Sequence, residues 1–302
     1  MEQITADTTS VVTQGAQQLH WPLSASETTA HVRGALDEDA AFHDVSTLAT
    51  VRSDRRAHAT LVARRAGVIA GIPLAIEAFR QLDPSVAIRV AQDDGSLVER
   101  GAAVLVLTGH ARGLLSAERT ALNYLQHLSG IATLTRAFVT QLVGLPTKVL
   151  DTRKTRPGWR RLEKYAVRAG GGVNHRVDLR SAVLIKDNHL AAVDGRIDLA
   201  VERARGLAAD GAMVQVECDT LDQVDAAIAA GADAVLLDNM SIDQLTTAVA
   251  RVGGRALTEA SGGVTLETVR AIAASGVDRV SIGALTHSAP ALDLSFYLEP
   301  AP

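Results

Sequence analysis

The sequence predicts an α/β chain of two domains, an α+β unit followed by a β/α barrel, and three observations predict it. The chain has 302 residues, which is room for two average domains or for one with a barrel-sized core. From His31 to about Ile131 strand-like and helical runs are mixed. After Pro146 short apolar strands alternate with amphipathic helices, and that unit repeats. Alternation of this kind builds a parallel sheet with right-handed crossovers.

Composition narrows the class. Hydrophobic residues make up 47% and charged residues 21% of the chain, close to globular averages, so neither disorder nor a fibre explains it. A formal net charge of −4 argues against a surface built for nucleic acid, and any basic site must be local. The single Cys218 cannot form an internal disulfide, and no apolar run reaches the ~18 residues that a membrane span needs. The opening MEQITADTTS lacks the basic start and apolar core of a signal peptide. A cytoplasmic protein without membrane or nucleic-acid partner is expected.

In chain order, residues 1–28 are rich in Thr, Ser, Gln and Ala without a sustained period, and read as a flexible N-terminal arm. The first domain is drawn over 29–131. Its strand-like runs include Ala59-Thr60-Leu61-Val62-Ala63 and Ala103-Val104-Leu105-Val106-Leu107, and a helical pattern covers 73–82. Its last helix is read from near Ser116, with Glu118 close to the N-terminus, through Leu122, Leu125 and Leu128 toward Gly130. The second domain is drawn over 132–286, with strands at 148–152, 172–175, 182–187, 214–219, 234–239, 256–261 and 279–284. Helical patterns such as 221–230 and 265–275 fall between them. Seven strands suffice to close a β/α barrel. An open doubly wound sheet is the alternative, but no G-x-G-x-x-G follows the first strand, which leaves its dinucleotide-binding version unsupported.

Barrels of this type place their ligand at the carboxyl ends of the strands. Here those ends carry Asp151-Thr152-Arg153-Lys154, Asn174-His175-Arg176, Lys186-Asp187-Asn188-His189, Glu217-Cys218-Asp219, Asp238-Asn239, Glu259-Ala260-Ser261, and Gly283 followed by His287. Structural ion pairing along a rim is the plainer account of such charges. Their gathering at one end favours a site.

Between Lys148 and Arg176 stand nine Lys or Arg against Asp151 and Glu163, a local balance of +7, which leaves −11 for the other 273 residues. A compact cation cluster on an acidic chain suits a small, highly anionic ligand rather than a polymer. Arg160, Arg161, Lys164 and Arg168 fall on a helical pattern and read as its solvated face. Arg153, Lys154, His175, Arg176 and Lys186 sit at strand ends instead, where guanidinium forks grip carboxylates and ammonium groups neutralise phosphate.

Two glycine-bearing turns complete the rim. Ser261-Gly262-Gly263-Val264-Thr265 leads from a strand into a helical pattern, and Ser281-Ile282-Gly283-Ala284 ends the next strand. Either alone could be a turn that needs positive φ, but two in succession suit a phosphate monoester. Glu217 and Asp238 close adjacent strands, a pair that suits Mg²⁺ or ribose hydroxyls, or else pairs with the rim cations. Cys218 follows Glu217 and points to the opposite face, into packing. No zinc-type spacing occurs.

A phosphorylated sugar with a pyrophosphate leaving group fits this rim, together with a second substrate that bears carboxylates. Such a reaction needs positioning and charge more than covalent help. Lys186 raises a competing idea, the nucleophile of a Schiff-base aldolase, which would leave the other cations unexplained.

Several runs carry a resemblance: Ser116-Ala117-Glu118-Arg119-Thr120-Ala121-Leu122-Asn123, Leu128-Ser129-Gly130-Ile131-Ala132-Thr133, Asp151-Thr152-Arg153-Lys154-Thr155-Arg156-Pro157-Gly158, Gly170-Gly171-Gly172-Val173-Asn174-His175-Arg176 and Leu184-Ile185-Lys186-Asp187-Asn188-His189. With Glu217, Leu237-Asp238-Asn239 and Glu259-Ala260-Ser261-Gly262-Gly263, they closely resemble the nicotinate-nucleotide pyrophosphorylase (carboxylating) family, also called quinolinate phosphoribosyltransferase. The resemblance runs from about Phe42 to Phe296. It implies an N-terminal α/β sandwich, joined by residues 287–302, plus an irregular seven-stranded β/α barrel. It also implies a homodimer in which the first domain of one chain covers the barrel of the other.

The implied reaction joins quinolinate to 5-phosphoribosyl 1-pyrophosphate, giving nicotinate mononucleotide, pyrophosphate and CO2 in de novo NAD biosynthesis. By position, the resemblance assigns Arg153, His175, Arg176 and Lys186 to the quinolinate carboxylates, with Arg119 entering from the neighbouring subunit. Lys154 and Lys186 fall to pyrophosphate, Glu217 and Asp238 to Mg²⁺ and ribose, and Ser261, Gly262, Gly263 and Gly283 to the 5-phosphate, with His287 nearby. Lys154, Lys186, Glu217 and Asp238 are the implied catalytic set. Departures from the family pattern lie in the first domain, at His43-Asp44-Val45-Ser46-Thr47 and Arg64-Arg65-Ala66-Gly67. They touch the inter-subunit cover, where Arg52 or Arg65 would act. A related phosphoribosyltransferase for another aromatic acid, the aldolase, and a non-catalytic sugar-phosphate binder are the rival readings.

Overall fold

A computed structural model describes residues 19–209 and 211–301. The first helix, α1 (Ala25–Glu38), opens on a reciprocal cap in which Ser24 Oγ accepts from Glu27 N–H and the Glu27 carboxylate accepts from Ser24 N–H. Then follow α2 (Val45–Thr50), capped by Asp44, β1 (Arg56–Ala63), β2 (Gly67–Val68), α3 (Ile72–Leu82), β3 (Ala87–Val90), β4 (Leu97–Val98) and β5 (Ala103–His110). The last passes without a loop into α4 (Ala111–Gln141).

The second half begins with β6 (Lys148–Leu150), α5 (Arg160–Ala169), β7 (Val183–Ile185), α6 (Asp187–Ala191) and α7 (Ile197–Leu207). It continues through β8 (Val214–Cys218), α8 (Leu221–Ala229), β9 (Ala234–Asp238), α9 (Ile242–Val252), β10 (Leu257–Ser261), α10 (Val269–Ala274), β11 (Arg279–Ser281) and α11 (Ala284–His287). Reciprocal caps start α8 at Thr220 with Gln223 and α9 at Ser241 with Gln244. The chain ends in β12 (Leu294–Pro300), which returns to the first half and pairs antiparallel with β1.

Antiparallel pairing in the order β12-β1-β5-β3 forms the first sheet. Alternate residues of β1, from Ala57 and Ala59 to Leu61 and Ala63, turn inward and are buried. Phe79 of α3 stacks on Phe296 of β12, with ring centroids 6.2 Å apart. The second sheet is parallel, in the order β6-β11-β10-β9-β8-β7. Its last strand in sequence pairs with its first, which is the strand order of a barrel and not of a doubly wound sheet.

Register fixes what each strand offers. Glu217 is the Cα partner of Leu236, and Ser261 that of Asp238. Side chains alternate along a strand, so Gln215, Glu217, Asp238, Glu259 and Ser261 share one face, while Val216, Cys218, Val235, Leu237 and Ala260 take the buried opposite face.

Four expectations change. The strand expected at 172–175 contributes a single bridge, Leu150 to Val173, so six strands pair as a ladder among the described residues. Side chains replace the missing ladder bonds: Asp151 Oδ1 accepts from His175 N–H at 2.8 Å, and Lys164 Nζ donates to His175 O at 3.0 Å. The helix read from Ser116 to Gly130 is α4, of 31 residues, so the boundary drawn between 131 and 132 falls inside one helix. Gly130 is no stop signal there: a Cβ at that position would lie 2.2 Å from the Pro290 carbonyl oxygen, so glycine admits the returning chain.

Of the arm drawn over 1–28, residues 1–18 lie outside the described residues. Residues 19–28 are packed. Trp21 meets Tyr165 edge-on at 4.9 Å and Arg161 forms an ion pair with Glu27 at 2.7 Å. The helix expected over 265–275 is cut to α10, because Thr268 Oγ1 accepts from Thr265 N–H and holds the preceding residues in a turn. The glycines at 262 and 263 therefore do not open a helix directly.

Candidate active site

At the carboxyl ends of β7 and β8, Lys186 Nζ donates to Glu217 Oε2 at 2.7 Å. The register places both residues on the inner face, because Leu184 partners Gln215 and the side-chain period is two. Lys186 is about half exposed and Glu217 largely covered. On β9, Asp238 Oδ2 accepts from Asn239 Nδ2 at 2.6 Å. Cys218 is fully buried on the other face, and burial pushes its thiol up to about 12, which leaves it an inert packing group.

The cationic side of the rim is built by β6 and the irregular segment after α5. Arg153 is half-buried, and its Nε–H has no hydrogen-bond partner. Arg176 lies near it and donates to Ala182 O at 3.0 Å. Burial first, and then the positive charge of Arg153, hold the Arg176 guanidinium below the ordinary arginine range, with Asp178 opposing. Two partly desolvated cations, one with an unpaired donor, form a place for an anion.

Beneath them lies an ion pair, Lys164 Nζ to Asp151 Oδ1 at 2.5 Å, with side chains only 3% and 0% exposed. Asp151 Oδ2 also accepts from Asn174 Nδ2 at 2.7 Å. The neighbouring Glu163, fully buried, accepts from Arg156 N–H at 3.2 Å and faces His127 Nε2 at 3.0 Å, which ties down the loop that carries Arg153 and Lys154.

His175 points into the barrel. Its Nδ1 accepts from Arg176 N–H at 2.7 Å, so the ring N–H lies at Nε2, 3.5 Å from Glu259 Oε1. Gln215 Nε2 donates to Glu259 Oε2 at 3.0 Å, and both of these side chains are fully buried.

The glycine side is equally close-set. Gly262 has φ +94°, and a Cβ there would lie 2.1 Å from Asn239 Oδ1. Gly263 also has positive φ and is open on its free side. A Cβ on Gly283 would meet Lys154 Cδ at 3.0 Å and His287 Nε2 at 3.1 Å, so Gly283, Lys154 and His287 share one corner. Thr286 Oγ1 donates to Lys154 O at 2.8 Å and fastens that corner. Ser261 sits beside Asp238 by register.

Arg119 forms no ion pair with these rim residues among the described residues. It is exposed on α4, and its one ion-pair contact among the described residues is Glu118, at 3.9 Å. A cavity of about 480 Å³ lies at the opposite end of the barrel strands, lined by Asp233, Arg255, Thr258 and Asp278 among others. Its acids are engaged in the fold, Asp233 with Val214 N–H and Asp278 with Thr258 N–H, as suits the amino-terminal face of a barrel.

Reading the sequence as a row of strand ends misses the support below the rim. Lys164 is not on a solvated face but almost wholly buried, and Gln215 received no role. The signal was present in α5, where apolar positions surround Glu163 and Lys164; their partners are distant in sequence.

The chain matches two family models: Quinolinate phosphoribosyl transferase, N-terminal domain, over residues 44–129, and Quinolinate phosphoribosyl transferase, C-terminal domain, over residues 131–297. It is 45% identical over 275 residues to the nicotinate-nucleotide pyrophosphorylase [carboxylating] of Mycobacterium leprae, covering 88% of this chain and 95% of that protein. A probable nicotinate-nucleotide pyrophosphorylase [carboxylating] of Bacillus subtilis is 43% identical over 82% of this chain and 86% of its own length. Among solved structures, NadC from Streptococcus pyogenes superposes with a TM-score of 0.88 at 41% identity, covering 93% of this chain and 99% of that one.

Proposed function

The chain belongs to the quinolinate phosphoribosyltransferase family, and on that premise we propose that it transfers the phosphoribosyl group of 5-phosphoribosyl 1-pyrophosphate to the ring nitrogen of quinolinate. The products are nicotinate mononucleotide, pyrophosphate and CO2, a step of de novo NAD biosynthesis. One observation carries the substrate choice: the partly buried Arg153 and Arg176, the first with an unpaired buried donor, call for more negative charge than a single carboxylate brings.

In this reading Arg153, His175, Arg176 and Lys186 hold the two carboxylates of quinolinate. Lys154 and Lys186 draw the pyrophosphate, and their charge favours its departure from the anomeric carbon. Ser261, Gly262, Gly263, Gly283 and His287 receive the 5-phosphate through backbone N–H groups and the imidazole. Loss of the carboxylate beside the ring nitrogen needs no base, since the ribosylated, cationic ring accepts the electrons; the rim cations need only shield charge.

Glu217 and Asp238 fit a magnesium ion. They lie on one face of adjacent strands, and no third His, Cys, Asp or Glu joins them in a metal-ligating group among the described residues. Magnesium takes one or two carboxylates and completes its shell with water and substrate phosphate. When bound, it would neutralise pyrophosphate charge, while the remaining carboxylate oxygens orient the ribose hydroxyls.

Arg119 is exposed, with Glu118 as its one ion-pair contact among the described residues, which supports a homodimer in which it enters the partner's site. No helix among the described residues is long and apolar enough to cross a membrane. The lone buried thiol suits the reducing cytoplasm.

The decisive experiment is release of labelled CO2 from quinolinate labelled in its 2-carboxylate, with phosphoribosyl pyrophosphate and Mg²⁺, omitting each component in turn. Release that requires all three, with an equal amount of nicotinate mononucleotide, is expected. No release from folded dimer would move the assignment to a transferase for another aromatic acid.

A further inference from the structure

We infer that Lys164 and Asp151 are positioning residues for the dicarboxylate substrate: together with Asn174 they fix the backbone of 174–176, and so the aim of His175 and Arg176. The inference rests on the quinolinate reading of that segment.

The segment needs such support because it is not a strand. Among the described residues its one bridge to the sheet is at Val173, so its peptide groups must find other partners or remain unpaired beside a buried core. Asp151 and Lys164 supply them. Asp151 Oδ1 accepts from His175 N–H at 2.8 Å, Asp151 Oδ2 accepts from Asn174 Nδ2 at 2.7 Å, and Lys164 Nζ donates to His175 O at 3.0 Å. Asn174 Nδ2 closes the network by donating to Lys164 O at 2.8 Å.

Neither charged group can reach substrate. Both are buried, and Asp151, next after β6, faces α5 rather than the barrel interior. A buried ion pair is also a poor means of stabilisation, since well-packed apolar residues of similar volume often do as well or better. What apolar residues cannot supply is an acceptor and a donor for the irregular backbone at His175, with a second acceptor for the Asn174 side chain. Those bonds hold the Asn174 side chain and both peptide groups of His175, the second of which leads into Arg176; from there His175 faces Glu259 and the Arg176 guanidinium donates to Ala182 O.

The test uses full-length enzyme with both substrates varied in turn, beside thermal unfolding of each variant. The variants are Lys164→Met, the double variant Lys164→Met with Asp151→Asn, and Asn174→Ala. The double variant removes both charges and should keep a cooperative transition, as should Asn174→Ala. In both, KM for quinolinate should rise about tenfold or more, while KM for phosphoribosyl pyrophosphate stays within about twofold. If Lys164→Met alone fails to fold, the other two decide. Folded variants with both KM values unchanged, or both raised equally, would reduce the pair to a structural role and overturn the inference. A wild-type enzyme that does not consume quinolinate would mark failure of the functional reading itself, and the inference would fall with it.

Discussion

Lys186 Nζ and Glu217 Oε2 meet at 2.7 Å across the neighbouring parallel strands β7 and β8. The pair joins the end of the rim assigned to pyrophosphate with the carboxylate assigned to ribose and magnesium. Glu217→Gln should lower kcat/KM by about 10²- to 10³-fold, the size of loss typical for one preorganised electrostatic group. Lys186→Met should do the same. The lysine side chain is 46% exposed and its Nζ is engaged by Glu217 Oε2, whereas a Schiff-base nucleophile must present a free amine to the carbonyl. Borohydride reduction in the presence of keto acids should therefore leave the protein unlabelled, and a stoichiometric adduct at Lys186 would revive the aldolase reading.

Arg153→Ala and Arg176→Ala should each raise KM for quinolinate about 10²-fold, because a charge-assisted bond in a partly desolvated site is lost. KM for phosphoribosyl pyrophosphate should change little. Nicotinate, with one carboxylate, should compete weakly against quinolinate in the wild type. Equal effects of the substitutions on both substrates would contradict the carboxylate role.

Gly262→Ala tests the glycine side. The backbone has φ +94°, and the new methyl group would lie 2.1 Å from Asn239 Oδ1. Either Asn239 is expelled from beside Asp238 or the turn rebuilds. A stability loss of about 1–3 kcal/mol is expected from backbone strain, with KM for phosphoribosyl pyrophosphate raised more than that for quinolinate. Urea unfolding and two-substrate kinetics check the two halves of this prediction.

Asp83 gives a pH signature to the first domain. Its carboxylate accepts from His110 N–H at 2.7 Å, where β5 passes into α4, and from Ser85 N–H and Oγ–H at 3.0 and 2.6 Å. Burial works against the charged form, but these hydrogen bonds outweigh it and bring the carboxyl from 3.8 down to about 2. A depressed carboxylate contributes stability that is complete above its unfolded pKa and is lost as pH falls through the folded one. Asp83→Asn should thus lower stability by roughly 2 kcal/mol at pH 7. In urea titrations the difference from wild type should hold down to about pH 5, then shrink between about pH 4 and pH 2. A difference that stays constant across that range would rule out the charged carboxylate as its source.

Much of the candidate site was legible in the sequence because its signals are local. A period of two puts Lys186, Glu217, Asp238 and Ser261 on one face of their strands, and the barrel rule puts them at one rim; the register bears out both. The opposite orientation of Cys218 follows from the same alternation. Capping signals such as Thr220 with Gln223 likewise depend on residues within one turn.

The sequence by itself thus determined the fold class, the family and the row of polar strand ends, all written in short spacings and in motifs. Only the tertiary structure decided that Lys164 is buried against Asp151, that residues 174–175 hang from side chains after a single bridge at Val173, that Gly130 lies within α4, and that Trp21 is packed on Tyr165. Each of these depends on partners 11 to 160 positions away, such as Lys164 for His175 and Pro290 for Gly130. Burial, orphaned backbone groups and close approach of two chain segments are properties of the packed state, and no local period encodes them.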